Sequence, residues 1–395
     1  MSFHHGIRVT ETTGASNAIA IVATACIGLV ATAPDASAAV FPLDVPVLVG
    51  APTSTMTIAD AIAAAGAAGT MKAALIGIAD QVRAPVVIVR VAPGADAAAT
   101  EDAVIGDDVD GVKTGMQALL AAEAQVKYRP RIIGAPGLDT LHVATALAVV
   151  AKRLRGMAYA AAIGADRADL IAYRANFTQR ELMLIAPDFT APLGAGGANV
   201  PSFAVARALG LRAMIDQTQG FHKTLSNVPV AGVTGLTKDI QFDLQDEDAD
   251  ANMLNAAGIT TIVRINGDLR FWGNRTCAAL DGDFTFESAT RTAQVLADSI
   301  VAGLIWAIDK PLLPSLARDI EERINAAFRK LTRGGYILGA QAAFDPAKNP
   351  VDQLKAGKLT IGYRYTPVPP LECLGLEQQI TDEFAADFAL LVASA

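Results

Sequence analysis

The chain is poor in the side chains that build disulfide frameworks and metal centres. Its 395 residues include three cysteines and four histidines. Cys26, Cys277 and Cys373 stand far apart with no C-x-x-C pair, which excludes a disulfide scaffold or zinc site and points to a reducing compartment. His4, His5, His142 and His222 are equally scattered, and none has the spacing of a metal ligand set. Charge is sparse too. Only 18% of residues are charged and the formal net charge is -8, which argues against a chain that coats nucleic acid, whose phosphates need a basic surface.

No apolar run reaches the ~20 residues of a membrane span. The nearest, "AIAIVATACIGLVATA" (Ala18 to Ala33), is studded with Thr and Gly, and its β-branched content suits a buried strand. Ala36-Ser37-Ala38 has the small-x-small form of a cleavage site, which keeps a secreted adhesin open as a reading. The residues ahead of the run carry one basic side chain, Arg8, countered by Glu11, unlike a signal peptide.

What is present is a globular composition with 52% hydrophobic residues. Apolar runs "VPVLVG", "APVVIVRVA", "RPRIIGAPG", "GMAYAAAIG" and "RELMLIAPDF" alternate with helical stretches from Thr57 to Gly66, Gly115 to Val126, Thr140 to Leu154 and Pro201 to Met214. This predicts an α/β layer architecture around a largely buried sheet. Residues 95–114, acidic and turn-rich, are expected to form a surface insertion. Asn266-Gly267 sits between two β-rich runs, a strong hairpin signal that sets Ile265 opposite Asp268, Ile262 opposite Phe271 and Thr261 opposite Trp272. In that register Asn274-Arg275-Thr276 is a hairpin exit rather than a glycan acceptor. Two long helices follow, Ala289 to Ile308 and Ser315 to Arg333, the second with Ser315 as N-cap and Gly334-Gly335 as its stop. A strand near Tyr336 to Ala342, a short helix near Asp352 and a strand from Lys358 to Tyr365 complete the pattern.

The motifs nearest to chemistry fail on detail. "GDDVDGVKT" has Val112 where a phosphate loop needs Lys, "PLGAGGANVPS" has Asn199 where a dinucleotide turn needs its third glycine, and "DEDAD" has Ala251 and Ala257 at the decisive calcium positions. His222, with Lys223, Ser226 and Asn227 close by, is the remaining general-base candidate, and it has no third partner. A nucleotide-dependent α/β enzyme, with the loop Gly194 to Gly197 near its cofactor, is the alternative from another function class.

Two features are not explained by a self-contained fold. The terminal segments alternate or are apolar yet have no local partner, and the helix ending at Arg333 concentrates Arg323, Arg329, Lys330 and Arg333 in an acidic protein. The stretches "FHHGIRVTE", "TGMQALL", "RPRIIGAPG", "KRLRGMAY", "HKTLSNVPVAGVTG", "NAAGITTIVRINGDLRFWGNRTC", "KPLLP" and "GKLTIGYRYTPVPPLE" together resemble the tail sheath proteins of contractile-tailed phages and R-type pyocins.

That resemblance implies a structural protein without enzymatic activity or cofactor. Its copies would form stacked hexameric rings in a helical polymer around a tail tube protein. Baseplate and tail terminator proteins would be further partners, with no nucleic acid bound and no membrane insertion. The place of work would be a virion tail or equivalent injection particle, assembled in the bacterial host cytoplasm. The implied fold is multi-domain: an α/β sandwich N-terminal region plus an α+β C-terminal domain with extended terminal arms. The expected bounds are an arm over residues 1–20, outer α/β domains over 21–258, an assembly domain over 259–375 and a second arm over 376–395. The arms would lend strands to neighbouring copies, through Phe3, Gly6, Ile7 and Val9 at the front and Phe384, Phe388, Leu390 and Val392 at the rear. Ile337, Leu359, Ile361, Tyr363 and Tyr365 would form the accepting sheet, and Arg323, Arg329, Lys330 and Arg333 would face the tube.

Overall fold

Successive residues of a strand face opposite sides of its sheet, so unbroken apolar runs call for a sheet covered on both faces. The structure, a computed structural model describing residues 19–192, 197–382, 385, 388 and 391–393, has such a sheet at its centre.

In chain order, β1 (Ile27–Thr32) and β2 (Val47–Val49) precede α1 (Ile58–Ala64) and α2 (Met71–Ala79). After β3 (Val86–Val91) come α3 (Ala97–Ile105), the short hairpin of β4 (Asp108–Val109) and β5 (Val112–Lys113), and α4 (Ala122–Val126). Next are β6 (Ile132–Gly134), α5 (Leu141–Leu154), β7 (Met157–Ala161), α6 (Arg167–Arg174) and β8 (Leu182–Ile185). A small sheet of β9 (Phe189–Pro192), β10 (Asn199–Ser202) and β11 (Gly235–Leu236) brackets α7 (Ala204–Thr218). Then follow α8 (Asp250–Ala256), β12 (Ile259–Ile265) and β13 (Asp268–Trp272). The C-terminal part holds α9 (Glu287–Leu304), α10 (Pro314–Arg333), β14 (Ile337–Phe344), α11 (Val351–Lys355) and β15 (Ile361–Pro367).

The main sheet runs β13-β12-β8-β7-β6-β1-β3-β2, parallel from β12 to β3 with an antiparallel strand at each edge. Strand β1 explains its own sequence. Ile27 and Leu29 pack with Ile58, Leu75 and Leu209 of α1, α2 and α7, while Val30 packs with Leu147 of α5 on the other face. Thr57 and Asp60 form a capping box on α1, and the Thr140 hydroxyl caps α5. The hairpin of β12 and β13 has the register that its two-residue turn dictates, with Asn266 and Gly267 both at positive φ. A third apolar cluster belongs to the C-terminal part. In it Leu316, Ile320, Ile324, Phe328 and Leu331 form the buried face of α10.

Several expectations need correction. The β12–β13 hairpin does not open the C-terminal domain: Ile259 and Thr260 pair with Leu184 and Ile185 of β8, so the hairpin is part of the main sheet and the divide moves from residue 258 to beyond Cys277. The first half of 95–114 is helix α3, capped by Asp96 and anchored by fully buried Val104; only the β4–β5 hairpin projects. Helix α10 begins at Pro314, with Leu313 at the N-cap, because proline fits the first helical position and there displaces Ser315 from the cap. Strand β15 begins at Ile361 rather than Lys358, since the Asn349 side chain takes both backbone groups of Thr360. In the chain by itself Ala385, Phe388 and Leu391 to Ala393 are helical and exposed. Phe384 and Leu390, like Phe3, Gly6, Ile7 and Val9, lie outside the described residues, as does most of the loop Gly194 to Gly197. Cleavage near Ala38 would remove β1 from the middle of the sheet, which leaves no fold for a secreted adhesin. No helix among the described residues is long and apolar enough to cross a membrane.

Candidate assembly surfaces

Strands β14 and β15 form a two-stranded antiparallel ribbon on α10, with Ala342 opposite Tyr363 and Phe344 opposite Ile361. A ribbon of two strands is marginal by itself. Ile337 and Ala342 are buried against α10, Ile361 and Tyr365 are half-buried on the same cluster, and Tyr363 meets Phe328 at 5.8 Å between ring centroids. Of the five residues expected in an accepting sheet, four lie on this ribbon, and Leu359 packs beneath it just ahead of β15.

The two outer edges of the ribbon differ. Ala342 donates its N–H to Asn325 Oδ1 at 2.8 Å and accepts from Asn325 Nδ2 at 3.0 Å, while the Phe344 N–H reaches Glu321 Oε2 at 3.0 Å. Side chains of α10 therefore cap the outer edge of β14. Because both backbone groups of Ala342 turn away from β15, those of its partner Tyr363 turn away from β14, and alternation extends this to Ile361 and Tyr365. Among the described residues no strand pairs with that outer side of β15. The sequence held a signal for the capped edge in Asn325, a polar residue next to Ile324 and about one turn before Phe328, but its partner is set by tertiary packing.

The four cations on α10 separate. The Arg323 guanidinium lies 3.9 Å from the Trp306 ring centroid, and Lys310 Nζ lies 4.4 Å from the same ring. Arg323 is thus a packing residue. Arg329, Lys330 and Arg333 are exposed in the last turns, where they complement the helix dipole. Arg329 hydrogen-bonds Glu322, and Arg333 Nε donates to the Arg329 carbonyl at 3.3 Å.

The first half of α9 carries a feature that sequence reasoning missed. Glu287 to Thr292 are buried although five of the six are polar or charged. Glu287 accepts from the Tyr159 hydroxyl and lies 3.4 Å from Arg212 Nη1; Arg212 also reaches Asp216 Oδ1 at 2.8 Å, and Arg291 reaches Asp216 Oδ2. Farther along, Asp298 is held by Arg131 and Arg155, and Gln294 donates to the Gly156 carbonyl at 2.8 Å. Burial would lower the pKa of Arg212, but Asp216 and Glu287 more than offset it and hold the guanidinium above its ordinary value. Helix α9 is thereby bolted to α7 and to the ends of β6 and α5. The available signal was a pair of i,i+4 charge couples, Arg212 with Asp216 and Glu287 with Arg291, in helices with few other charges.

Ile19 and Glu372, near the two ends of the described chain, are each held in place. Ile19 packs on Gly303, where a Cβ would meet it at 2.5 Å, and the Val22 N–H donates to Ser299 Oγ at 3.1 Å. At the rear, Arg275 grips Glu372 with two bonds of 2.9 and 2.7 Å, and beyond it Leu374, Leu376, Ile380, Phe388 and Val392 are exposed. So many uncovered apolar side chains on one segment are unusual for an isolated subunit.

The catalytic candidates do not converge. His222 stacks edge-on against Tyr336 at 4.8 Å, and burial followed by the Arg212 charge lowers its pKa. Lys223 donates to the Thr224 carbonyl, Ser226 accepts from the Gly273 N–H, and the Asn227 carbonyl accepts from Arg270. His142 pairs with Glu101 on the surface. Asn274 is 6% exposed and its neighbour Cys277 is buried, with the thiol pushed up to about 12 by that burial. In a doubly wound sheet a ligand binds where the strand order reverses, here between β1 and β6. Phe203 lies over Gly137 after β6, and the loop at Gly69 lies over Thr32 of β1. Among the described residues no group of three or more His, Cys, Asp or Glu is placed to hold a metal.

Residues 111–277 match the family described as phage tail sheath protein central domain, and residues 280–381 match the phage tail sheath C-terminal domain. The tail sheath protein of Escherichia phage P2 is 48% identical over 99% of both chains. The major tail sheath protein of Serratia phage KSP20 is 45% identical over 99% of this chain and 98% of its own. In fold, the chain is similar to the sheath of an extracellular contractile injection system in its contracted state. There the TM-score is 0.71 at 14% identity, covering 97% of this chain and 99% of the other.

Proposed function

The chain belongs to the phage tail sheath family, and we propose that its copies join as stacked hexameric rings around a tail tube by lending strands to one another. It is a structural subunit. The sleeve contracts on a signal from the baseplate and drives the tube through a target envelope. The work is mechanical rather than catalytic, in keeping with catalytic candidates that are each engaged in separate local contacts.

One observation carries the reading. The outer edge of β15 presents backbone groups of Ile361, Tyr363 and Tyr365 with no strand paired to them among the described residues, in a chain whose rear segment exposes Leu374, Leu376 and Ile380. An added strand of ~5 residues brings backbone hydrogen bonds worth about 0.5–1.5 kcal/mol net each, together with apolar burial. On this reading the assembly domain begins after Cys277, the arms are residues 1–20 and 376–395, and α9 ties that domain to the sheet so that the subunit moves as one body. Loading occurs during assembly, since the arms stay engaged while whole subunits rotate. Arg329, Lys330 and Arg333 meet an acidic face of the tube, and Arg323 supports them from its stack on Trp306.

Negative-stain micrographs of the full chain should show rings or tubes, and removal of residues 1–18 and 376–395 together should leave folded monomers. Undiminished polymerisation after that removal rules out strand exchange. Double reversal, Arg329→Glu with Arg333→Glu, should weaken co-sedimentation with tubes at low salt without altering the fold. Tube binding unchanged at low and high salt refutes the tube-facing assignment.

A further inference from the structure

The two faces of β15 differ in chemistry. Ile361, Tyr363 and Tyr365 share the face turned to α10, because Tyr363 meets Phe328 and successive residues of a strand alternate. Gly362 and Arg364 therefore share the opposite face. A Cβ on Gly362 would stand 3.8 Å from Lys348 Nζ, so Lys348 lies over that face too. Arg364 donates to Gln341 Oε1 at 2.7 Å. Among the described residues neither Lys348 nor Arg364 has a carboxylate partner. With Lys355 and Lys358 they make four basic side chains in residues 334–370, against two acidic ones, Asp345 and Asp352. The chain that follows has the complementary pattern. From Leu371 onward it has no basic side chain, and the first of its five acids, Glu372, is already held by Arg275. Residues 376–383 read LEQQITDE. An extended strand of them puts Leu376 and Ile380 on one side, with Asp382 near its end, and Glu377 and Glu383 on the other. Leu376 and Ile380 are 85% and 95% exposed, and residues 376–381 belong to no helix or strand of their own chain.

We propose that the outer edge of β15 takes residues 376–383 of a second copy, with Glu377 and Glu383 on the face that bears Lys348 and Arg364. Leu376 and Ile380 then continue the apolar face of Ile361, Tyr363 and Tyr365. This rests on the strand-lending reading above and adds what selects the strand. Backbone pairing at an open edge is blind to sequence, whereas side chains on the two faces are not. The front arm fails that selection. Its alternation sets Phe3, Ile7 and Val9 on one side and His4, Gly6 and Arg8 on the other. Laid with its apolar side toward α10, it brings Arg8 to the face of Lys348 and Arg364, and like charges across strands are destabilising. Charge thus assigns the open edge of β15 to the rear arm and denies it to the front one.

The test is tube formation by full-length chains, followed by light scattering and negative stain. Lys348→Glu with Arg364→Glu should abolish tubes, and so should Glu377→Lys with Glu383→Lys. The chain with all four changes should regain them, because the exchanged charges again oppose each other. A fourfold variant no better than either pair overturns the proposal, as does a reversed pair that assembles like the unmodified chain. If such a pair assembles while removal of residues 376–395 stops polymerisation, strand exchange stands and the charge selection falls. Should a reversed chain not fold, growth rates decide instead. In the unmodified chain the initial rate should fall several-fold from about 0.01 M to about 0.1 M salt, as the screening length shortens from roughly 30 to 10 Å. The neutral pair Lys348→Gln with Arg364→Gln should lose most of that dependence. Equal salt dependence in the two chains also overturns the proposal.

Discussion

The main sheet and the C-terminal ribbon treat their edges in opposite ways. Outside β13, the Asn227 N–H bonds the Phe271 carbonyl and the Val230 N–H bonds the Leu269 carbonyl, so residues 227–230 cover that edge. Outside β2, the Ser54 hydroxyl takes the Leu48 carbonyl. The eight-stranded sheet thus closes on its own chain. The ribbon closes one edge with Asn325 and Glu321, and among the described residues no strand pairs with the other. A self-satisfied sheet makes a rigid body, and a half-satisfied ribbon makes a joint. Exposed edges are ordinarily a hazard that proteins blunt; on the proposed reading, the edge of β15 is where the next chain would add its strand.

The largest expected effect breaks this comparison at the joint. Proline has no N–H to donate and is tolerated in a strand where that N–H faces outward. Tyr363→Pro should therefore leave β14 and β15 paired and the monomer folded, while abolishing rings and tubes. The counterpart Ala342→Pro should instead unfold the ribbon locally, because it deletes the 2.8 Å bond to Asn325. Tubes of normal length from a folded Tyr363→Pro chain, seen by negative stain, would show that β15 is not the accepting edge.

Much of this contrast was legible in the sequence. Ile262 opposite Phe271 followed from the Asn266-Gly267 turn alone, and the buried stripe from Leu316 to Leu331 followed from helical spacing, because both signals are local. Residues 95–105 misled, since acidic and alanine-rich composition suits a solvated helix as well as a loop, and only the burial of Val104 distinguishes the two. The bolt along α9 and the capping of β14 depend on residues far apart in the chain: Arg131 meets Asp298, and Arg212 meets Glu287. Periodicity reports which face of an element is apolar. It does not report which buried charges will find each other.

The next effect in size sharpens the rigid half of the comparison. Glu287→Ala strips the acceptor from Tyr159 and leaves Arg212 and Arg291 with Asp216 as their remaining carboxylate, all of them buried. Removing one partner of a buried ion pair costs about 3–5 kcal/mol. Urea unfolding should show that loss, whereas Leu338→Ala at an exposed ribbon position should stay within about 0.5 kcal/mol. A loss for Glu287→Ala no greater than that of Leu338→Ala would mean that α9 is not held by these charges.

The smallest effect is a matter of pH and also belongs to the sheet. Asp139, fully buried after β6, accepts the Ala161 N–H at 2.6 Å, and burial raises its carboxyl to about 6. Nearby Asp188 adds to the rise and is itself raised by burial. With a folded pKa above the unfolded 3.8, the native state binds the extra proton. The stability this gives is fully present below pH 3.8 and is lost as pH rises through about 6. At 1.36 kcal/mol per unit, the whole change is at most roughly 3 kcal/mol. Asp139→Asn keeps one carbonyl acceptor and cannot ionise, so the stability of the wild type relative to this variant should fall between pH 4 and pH 6 and level off above. A gap that stays constant from pH 4 to pH 7 would place the titrating group elsewhere. Because the ribbon packs apart from Asp139, polymer formation by the two proteins should respond to pH in the same way until the sheet itself begins to melt.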